Sequence, residues 1–140
     1  MTSPPLPLRV AVVGLGPMGL HHVRAVADLV AAKLVAVADV DRARADDTAR
    51  AFKCEALYDA AHLTGMIDAA VIATPPAFHA ATAIPLLNVG IPCLIEKPLA
   101  MTEADCASII AAAAKTKTPV AVGHIERFNP ATEALMAEGI

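Results

Sequence analysis

The stretch CLIEKPLA, residues 93–100, runs as apolar strand-like sequence and then sets an acid, a base and a proline in succession: Glu96, Lys97 and Pro98. An acid next to a base is the material of proton transfer. Pro98 lacks the N–H that a continuing strand would need, so the run must turn at that point. The same pair is also compatible with the exposed polar end of a strand, and the neighbouring segments have to decide between the two.

Two other apolar runs end in comparable chemistry, AAVIATPPAFHA and VAVGHIERFNP. Thr74 offers a hydroxyl, Pro75 and Pro76 stiffen the backbone where the strand stops, and His79 falls one turn into the helix that follows, where a lone histidine would be a partly exposed helix residue. In VGHIERFNP, His124 and Arg127 are candidates for the same region, and Asn129 reads as the cap of a further helix.

The amino-terminal part supplies the most specific local motif, VAVVGLGPMGLHHVRA, in which a strand enters Gly14-Leu15-Gly16-Pro17-Met18-Gly19 and a helix follows directly. This is GxGxxG in the context that gives it meaning. Gly14 permits the tight turn, Gly16 lets backbone approach a pyrophosphate, and Gly19 lets helix and strand pack closely. The next strand ends in VAVADVD, which places Asp39 twenty positions after Gly19, where a carboxylate can accept from both ribose hydroxyls of NAD. A carboxylate there repels the 2′-phosphate of NADP, so NAD is the favoured cofactor and NADP the lesser alternative. Arg42 and Arg44 could hold such a phosphate, or form a solvated helix face.

These segments require elements that bring their ends together. Apolar, β-branched runs at Leu8 to Val13, Lys33 to Ala38, Cys54 to Leu57, Ala69 to Ala73, Pro92 to Ile95 and Val120 to Gly123 read as strands. Helices are predicted at Met18 to Val30, Arg42 to Phe52, Asp59 to Leu63, Ala77 to Val89, Thr102 to Lys115 and after Pro130. Strands apolar on both faces belong in a parallel sheet covered by its crossover helices. The fold class is therefore α/β, a doubly wound parallel sheet (Rossmann fold) of about six strands in the order 3-2-1-4-5-6. Residues 1–7 read as an extended arm, 8–125 as the dinucleotide-binding domain and 126–140 as the start of a connection to a further domain. Ligands of such sheets collect beyond the carboxyl ends of the strands, where all the segments above terminate.

The 140 residues are 56 % hydrophobic, above the roughly 45–50 % usual for soluble domains, with charges interspersed and no run of about 20 apolar residues that would span a membrane. A net charge of −3 gives no basic footprint for nucleic acid or an anionic membrane. Cys54, Cys93 and Cys106 form neither a CxxC pair nor a disulfide framework, so reduced core thiols and no metal site are expected. The first residues lack the marks of a signal peptide, which makes the cytoplasm the expected location.

GLGPMG, ADVD, ATPPAFH, EKPLA and VGHIERFNP, in this order and spacing, resemble the N-terminal domain of the glucose-fructose oxidoreductase and myo-inositol dehydrogenase (Gfo/Idh/MocA) family, from about Leu8 onward. EKPLA followed by VGHxxRFNP is far more specific than GxGxxG, and aspartate or homoserine dehydrogenases lack EKP. GHIERFNP looks most like the branch acting at the 3-hydroxyl of nucleotide-activated N-acetylamino sugars, or of their uronic acids. The resemblance implies that Lys97 handles the proton of the substrate hydroxyl and that Glu96 contacts the nicotinamide end of the cofactor. Gly14, Gly16, Pro17, Met18, Gly19, Asp39, Thr74, Pro75 and His79 are with Glu96 and Lys97 the expected cofactor contacts, Arg127 either lines the cofactor or substrate cleft or braces the segment leading to the next domain, and the resemblance implies that the peptide bond before Pro98 can be cis. Where His124 stands the family more commonly has tyrosine. Family members continue into an α+β domain that closes the substrate cleft and forms the oligomer. The chain is thus expected to be the cofactor half of a dehydrogenase with some tendency to self-associate, or a free-standing, non-catalytic NAD-binding module.

Overall fold

The computed structural model describes residues 7–139. Most of the expected N-terminal arm lies outside the described residues. Six strands, β1 (Leu8–Val13), β2 (Ala32–Ala38), β3 (Glu55–Leu57), β4 (Ala69–Ile72), β5 (Cys93–Glu96) and β6 (Val120–Gly123), form one sheet in the order β3-β2-β1-β4-β5-β6. Every neighbouring pair is parallel. This is the doubly wound order read from the sequence, with the reversal between β1 and β4 that opens a crevice at their carboxyl ends.

Alternation along the strands builds the two faces. Val10 and Val12 of β1 join Val23 and Val26 of α1 (Pro17–Asp28), Leu34 and Val37 of β2, and Ala45 and Ala49 of α2 (Arg42–Phe52) in one cluster. Ala11 and Val13 face the other way, with Ile72, Ile95, Leu86 and Leu87 of α3 (His79–Asn88) and Ile109 of α4 (Glu103–Thr116). Side chains that alternate across a strand supply both layers from one sequence run.

Boundaries differ from the sequence reading where local chemistry intervenes. The expected helix at Ala77 is preceded by a 3-10 turn at Pro76–Phe78, and regular α-helix begins only at His79, because two successive prolines bring the chain out of the strand. The segment at Ala60–Leu63 is a single 3-10 turn capped by Asp59. α4 starts one residue after Thr102, whose hydroxyl accepts from the Asp105 N–H at 3.1 Å and so occupies the cap position. β5 reaches one residue further than expected and includes Glu96, paired with Gly123 of β6. After β6, a 3-10 turn at Ile125–Phe128 leads into α5 (Pro130–Ala137), capped by Asn129 as read from the sequence.

Candidate functional site

The carboxyl ends of β1 and β2 carry the glycine turn. Gly14 sits at φ +85°, where a residue with a side chain is strained, and its N–H donates to the Ala38 carbonyl at 2.8 Å, tying the turn to β2. A Cβ placed on Gly14 would stand 2.5 Å from the Thr74 nitrogen, so the turn also packs directly on the end of β4. At Gly19 a Cβ would stand 1.8 Å from the Gly14 carbonyl oxygen, which leaves no room for any side chain. Gly16 is the opposite case: nothing lies within 4 Å of its missing Cβ. It caps α1 without a side chain, with Pro17 first in the helix, and leaves backbone open at the positive end of the helix.

Asp39, at the end of β2, is 8 % exposed. Its Oδ2 accepts from the Leu15 N–H at 2.7 Å and its Oδ1 from the Asp41 N–H at 2.8 Å. The carboxylate thus fixes the middle of the glycine turn, and Oδ1 keeps a lone pair for a further donor. Arg44 reaches Asp39 Oδ2 and Asp41 Oδ2, both at 3.3 Å, while the Arg42 guanidinium lies 4.4 Å from the centroid of the Tyr58 ring. Both arginines are engaged within the fold. Leu15, Gly16, Pro17, Leu20, His21, Arg24 and Arg44 line an open groove of about 650 Å³ along this turn.

On the other side of α1, a cleft of about 510 Å³ is lined by Met18, Ala73, Thr74, Glu96, Lys97, His124, Ile125 and Glu126. The ends of β4, β5 and β6 therefore meet as the sequence required. Lys97 is exposed at the rim and the peptide bond joining it to Pro98 is cis. Glu96 is buried beneath it: Oε1 lies 2.7 Å from His22 Nε2 and Oε2 accepts from the Lys97 N–H at 3.0 Å. Thr74 Oγ1 is buried in this wall and is the one buried side-chain oxygen or nitrogen among the described residues without a hydrogen-bond partner. Buried hydroxyls ordinarily find one.

Two sequence-selected residues are placed differently from expectation. His79 is fully buried, with Nε2 2.8 Å from the Thr74 carbonyl and Nδ1 3.1 Å from each of the Pro98 and Leu99 carbonyls. It stands behind the cleft wall and ties the end of β4 to the turn after Lys97, so its ring has no nitrogen left for a ligand. The two prolines carry the chain so that the first residue of α3 points into the protein. Arg127 is exposed in the turn after β6 and is not among the cleft-lining residues, whereas His124 and Glu126 are. His22, which reaches Glu96 from α1, was not singled out from the sequence; it lies four residues after Met18, hence on the same helix face, and that spacing was the available signal.

The residues fit a nicotinamide dinucleotide: an open Gly16 at a helix start, a buried carboxylate at the end of β2, and an unpartnered Thr74 hydroxyl across the topological switch point. Fold and site together define an NAD(H)-binding Rossmann domain. Residues 8–124 match the family described as "Oxidoreductase family, NAD-binding Rossmann fold", and the chain belongs to that Gfo/Idh/MocA family. It is 42 % identical over 129 residues to inositol 2-dehydrogenase 1 of Saccharopolyspora erythraea, covering 88 % of this chain and 38 % of that protein. It is 32 % identical over 132 residues to UDP-N-acetylglucosamine 3-dehydrogenase of Acidithiobacillus ferrooxidans, covering 94 % of this chain and 42 % of that one. The solved structure of the latter superposes with a TM-score of 0.88 at 31 % identity, over 96 % of this chain and 44 % of that chain. Scyllo-inositol dehydrogenase from Lactobacillus casei, solved with NAD(H) and scyllo-inositol, gives 0.86 at 25 % identity, over 95 % and 42 %. The chain spans about two fifths of the length of the relatives it matches.

Among the described residues no helix is long and apolar enough to cross a membrane, and no group of three or more His, Cys, Asp or Glu is arranged to hold a metal ion. Cys93 is buried, and burial pushes its thiol up to about 12, which makes it an inert core residue.

Proposed function

We propose that this chain is the cofactor-binding part of an NAD-dependent dehydrogenase acting on a secondary hydroxyl of a cyclitol, sugar or nucleotide sugar. The observation that carries the reading is the meeting of Lys97, Glu96, Thr74 and Met18 in one cleft, beside the glycine turn and across α1 from the groove at Gly16. When bound, NAD⁺ supplies the acceptor for the hydride that leaves the alcohol carbon.

The chain's own residues would divide the remaining work. Gly16 and the start of α1 accommodate the pyrophosphate. Asp39 takes an adenosine ribose hydroxyl with the lone pair left on Oδ1, and its negative charge opposes a 2′-phosphate. Arg44 is held between two carboxylates, which supports NAD over NADP. Thr74 Oγ1 gains in the complex the partner it lacks within the chain. Lys97 binds the substrate oxygen and takes its proton as the carbonyl forms. The chain leaves Lys97 exposed, so the walls that desolvate it are the bound dinucleotide and substrate, together with whatever closes the cleft. Met101, Ile125, Phe128, Leu135 and Met136 are exposed and follow Lys97 and β6 in the chain. Exposed apolar side chains of this size favour covering by another domain or by self-association.

The relatives named above support both a cyclitol and a nucleotide sugar as substrate class. The test is turnover of an enzyme completed to the relatives' length, with inositols and UDP-N-acetylamino sugars as substrates. Lys97→Met should lower turnover by a factor on the order of 10²–10⁴ and leave NAD affinity nearly unchanged. An unchanged rate would return the Glu-Lys-Pro stretch to a strand end without chemistry.

A further inference from the structure

We propose that His22 is a positioning residue for the nicotinamide end of the site: through Glu96 it sets the turn that carries Lys97. The inference rests on the dinucleotide reading above and adds to it a second residue of α1, one turn beyond Met18.

Glu96 is held on three sides. His22 Nε2 lies 2.7 Å from Oε1, with the two side chains only 16 % and 8 % exposed. The Lys97 N–H donates to Oε2 at 3.0 Å. On the third side is Gly123, where an added Cβ would stand 3.0 Å from Oε1 and 3.2 Å from the carboxyl carbon, so the carboxylate lies flat on the end of β6. Gly123 supplies no side-chain donor, and Lys97 N serves the other oxygen. Within the fold, His22 is the side chain that pairs with Oε1.

A buried carboxylate that loses its donor does not remain as it was, because desolvation without a hydrogen bond is unfavourable. Without His22, Oε1 recovers a partner only by rotating towards the water of the cleft. That rotation pulls Oε2 away from the Lys97 N–H and frees the turn before the lysine. The turn after the lysine is anchored independently by His79 on the Pro98 and Leu99 carbonyls. The lysine is therefore braced before and after by imidazoles from α1 and α3, and the brace before it passes through Glu96. A plain ion pair of surface type would do little of this, and burial is what distinguishes the pair.

The geometry also confines the effect to one end of the ligand. His21 borders the groove at Gly16, Arg24 and Arg44, while His22, the next residue, turns to Glu96. Loss of the His22 imidazole should disturb the cleft at Lys97 and leave the adenosine side alone.

Calorimetric titration of the 140-residue chain with NAD⁺ and with ADP separates the two ends, because ADP carries neither the second ribose nor the nicotinamide. His22→Ala should weaken NAD⁺ by at least about tenfold, the scale of a lost hydrogen bond to a charged group, and change ADP affinity by less than about twofold. His22→Gln, whose amide can donate to the same oxygen, should recover most of the loss. A general structural defect would weaken both ligands alike, and equal factors for NAD⁺ and ADP, or no change in either, overturn the proposal. Failure of the wild-type chain to bind either ligand overturns the dinucleotide reading itself and this proposal with it. If His22→Ala does not fold, ¹⁵N resonances of the wild-type imidazole decide: His22 Nε2 should shift on adding NAD⁺ and not on adding ADP, and an equal response to both, or none to either, contradicts the assignment.

Discussion

The two sides of α1 are built by different means. The turn from Gly14 to Gly19 is built of main chain, where what matters is the side chains that are missing. The cleft at Glu96 and Lys97 is built of side chains that converge from four segments far apart in sequence. A main-chain site is local and tolerates almost no substitution in its frame. A side-chain site is assembled at long range, and its members depend on partners that do not lie near them in the chain.

The largest difference between these two kinds of site should appear within the glycine turn. Gly19→Ala puts a methyl 1.8 Å from the Gly14 carbonyl, so the backbone must move, at about 3 kcal/mol or more of stability. Gly16→Ala meets open space, and stability should fall by only about 1 kcal/mol or less, the difference between glycine and alanine as a helix cap. NAD⁺ binding should nevertheless drop sharply, because the new methyl occupies the face offered to the pyrophosphate. Thermal denaturation and calorimetry on the two variants read these effects. Equal destabilisation by both would mean that Gly16 is structural too.

This contrast explains what could be read from the sequence. Glycine spacing, the Asp39 position and the apolar runs of the strands are local patterns with fixed periods, and the six-strand order and the turn at Gly14 followed from them. The pairing of His22 with Glu96 spans 74 residues, and only the four-residue spacing of His22 from Met18 marks it locally. His79 was legible as a polar residue near a strand end, but its direction was not: the 3-10 turn at Pro76–Phe78 rotates the start of α3, and the ring goes into the core. Asp39 was legible as an acid at the end of β2, whereas its hold on the Leu15 and Asp41 N–H groups depends on how β1 and β2 are aligned.

Asp39 is where the two kinds of site overlap, a side chain that holds a main-chain turn. Asp39→Ala should weaken NAD⁺ and reduce the discrimination against NADP⁺, since ribose contacts and repulsion disappear together. It should also cost about 1–3 kcal/mol, because two N–H groups lose their acceptor. Chemical denaturation alongside titration with both nucleotides separates the parts. Weaker NAD⁺ binding with no loss of stability would show that the carboxylate serves only the ligand.

The opposite end of the sheet is a control with no part in either site. The Arg9 guanidinium and its N–H hold the Asp68 carboxyl down to about 2, through contacts at 2.7 Å and 2.8 Å. Since the folded value lies below the ordinary 3.8, the contribution is complete above that pH and is lost as pH falls towards about 2. The pair is solvent-accessible, so the effect should be small. Melting temperatures of wild type and Asp68→Asn should converge across this window, with NAD⁺ affinity at neutral pH the same in both. A changed affinity would mean that the two ends of the sheet are coupled.

One dinucleotide should bridge the main-chain turn and the side-chain cleft, and a crystal structure of the chain with NAD⁺ is the sharpest test of that bridge. The pyrophosphate should lie on Gly16 and the start of α1, the adenosine ribose on Asp39, and the nicotinamide in the cleft between Met18, Thr74 and Lys97. Density for NAD⁺ elsewhere on the chain, or with the nicotinamide turned away from Lys97, would contradict it.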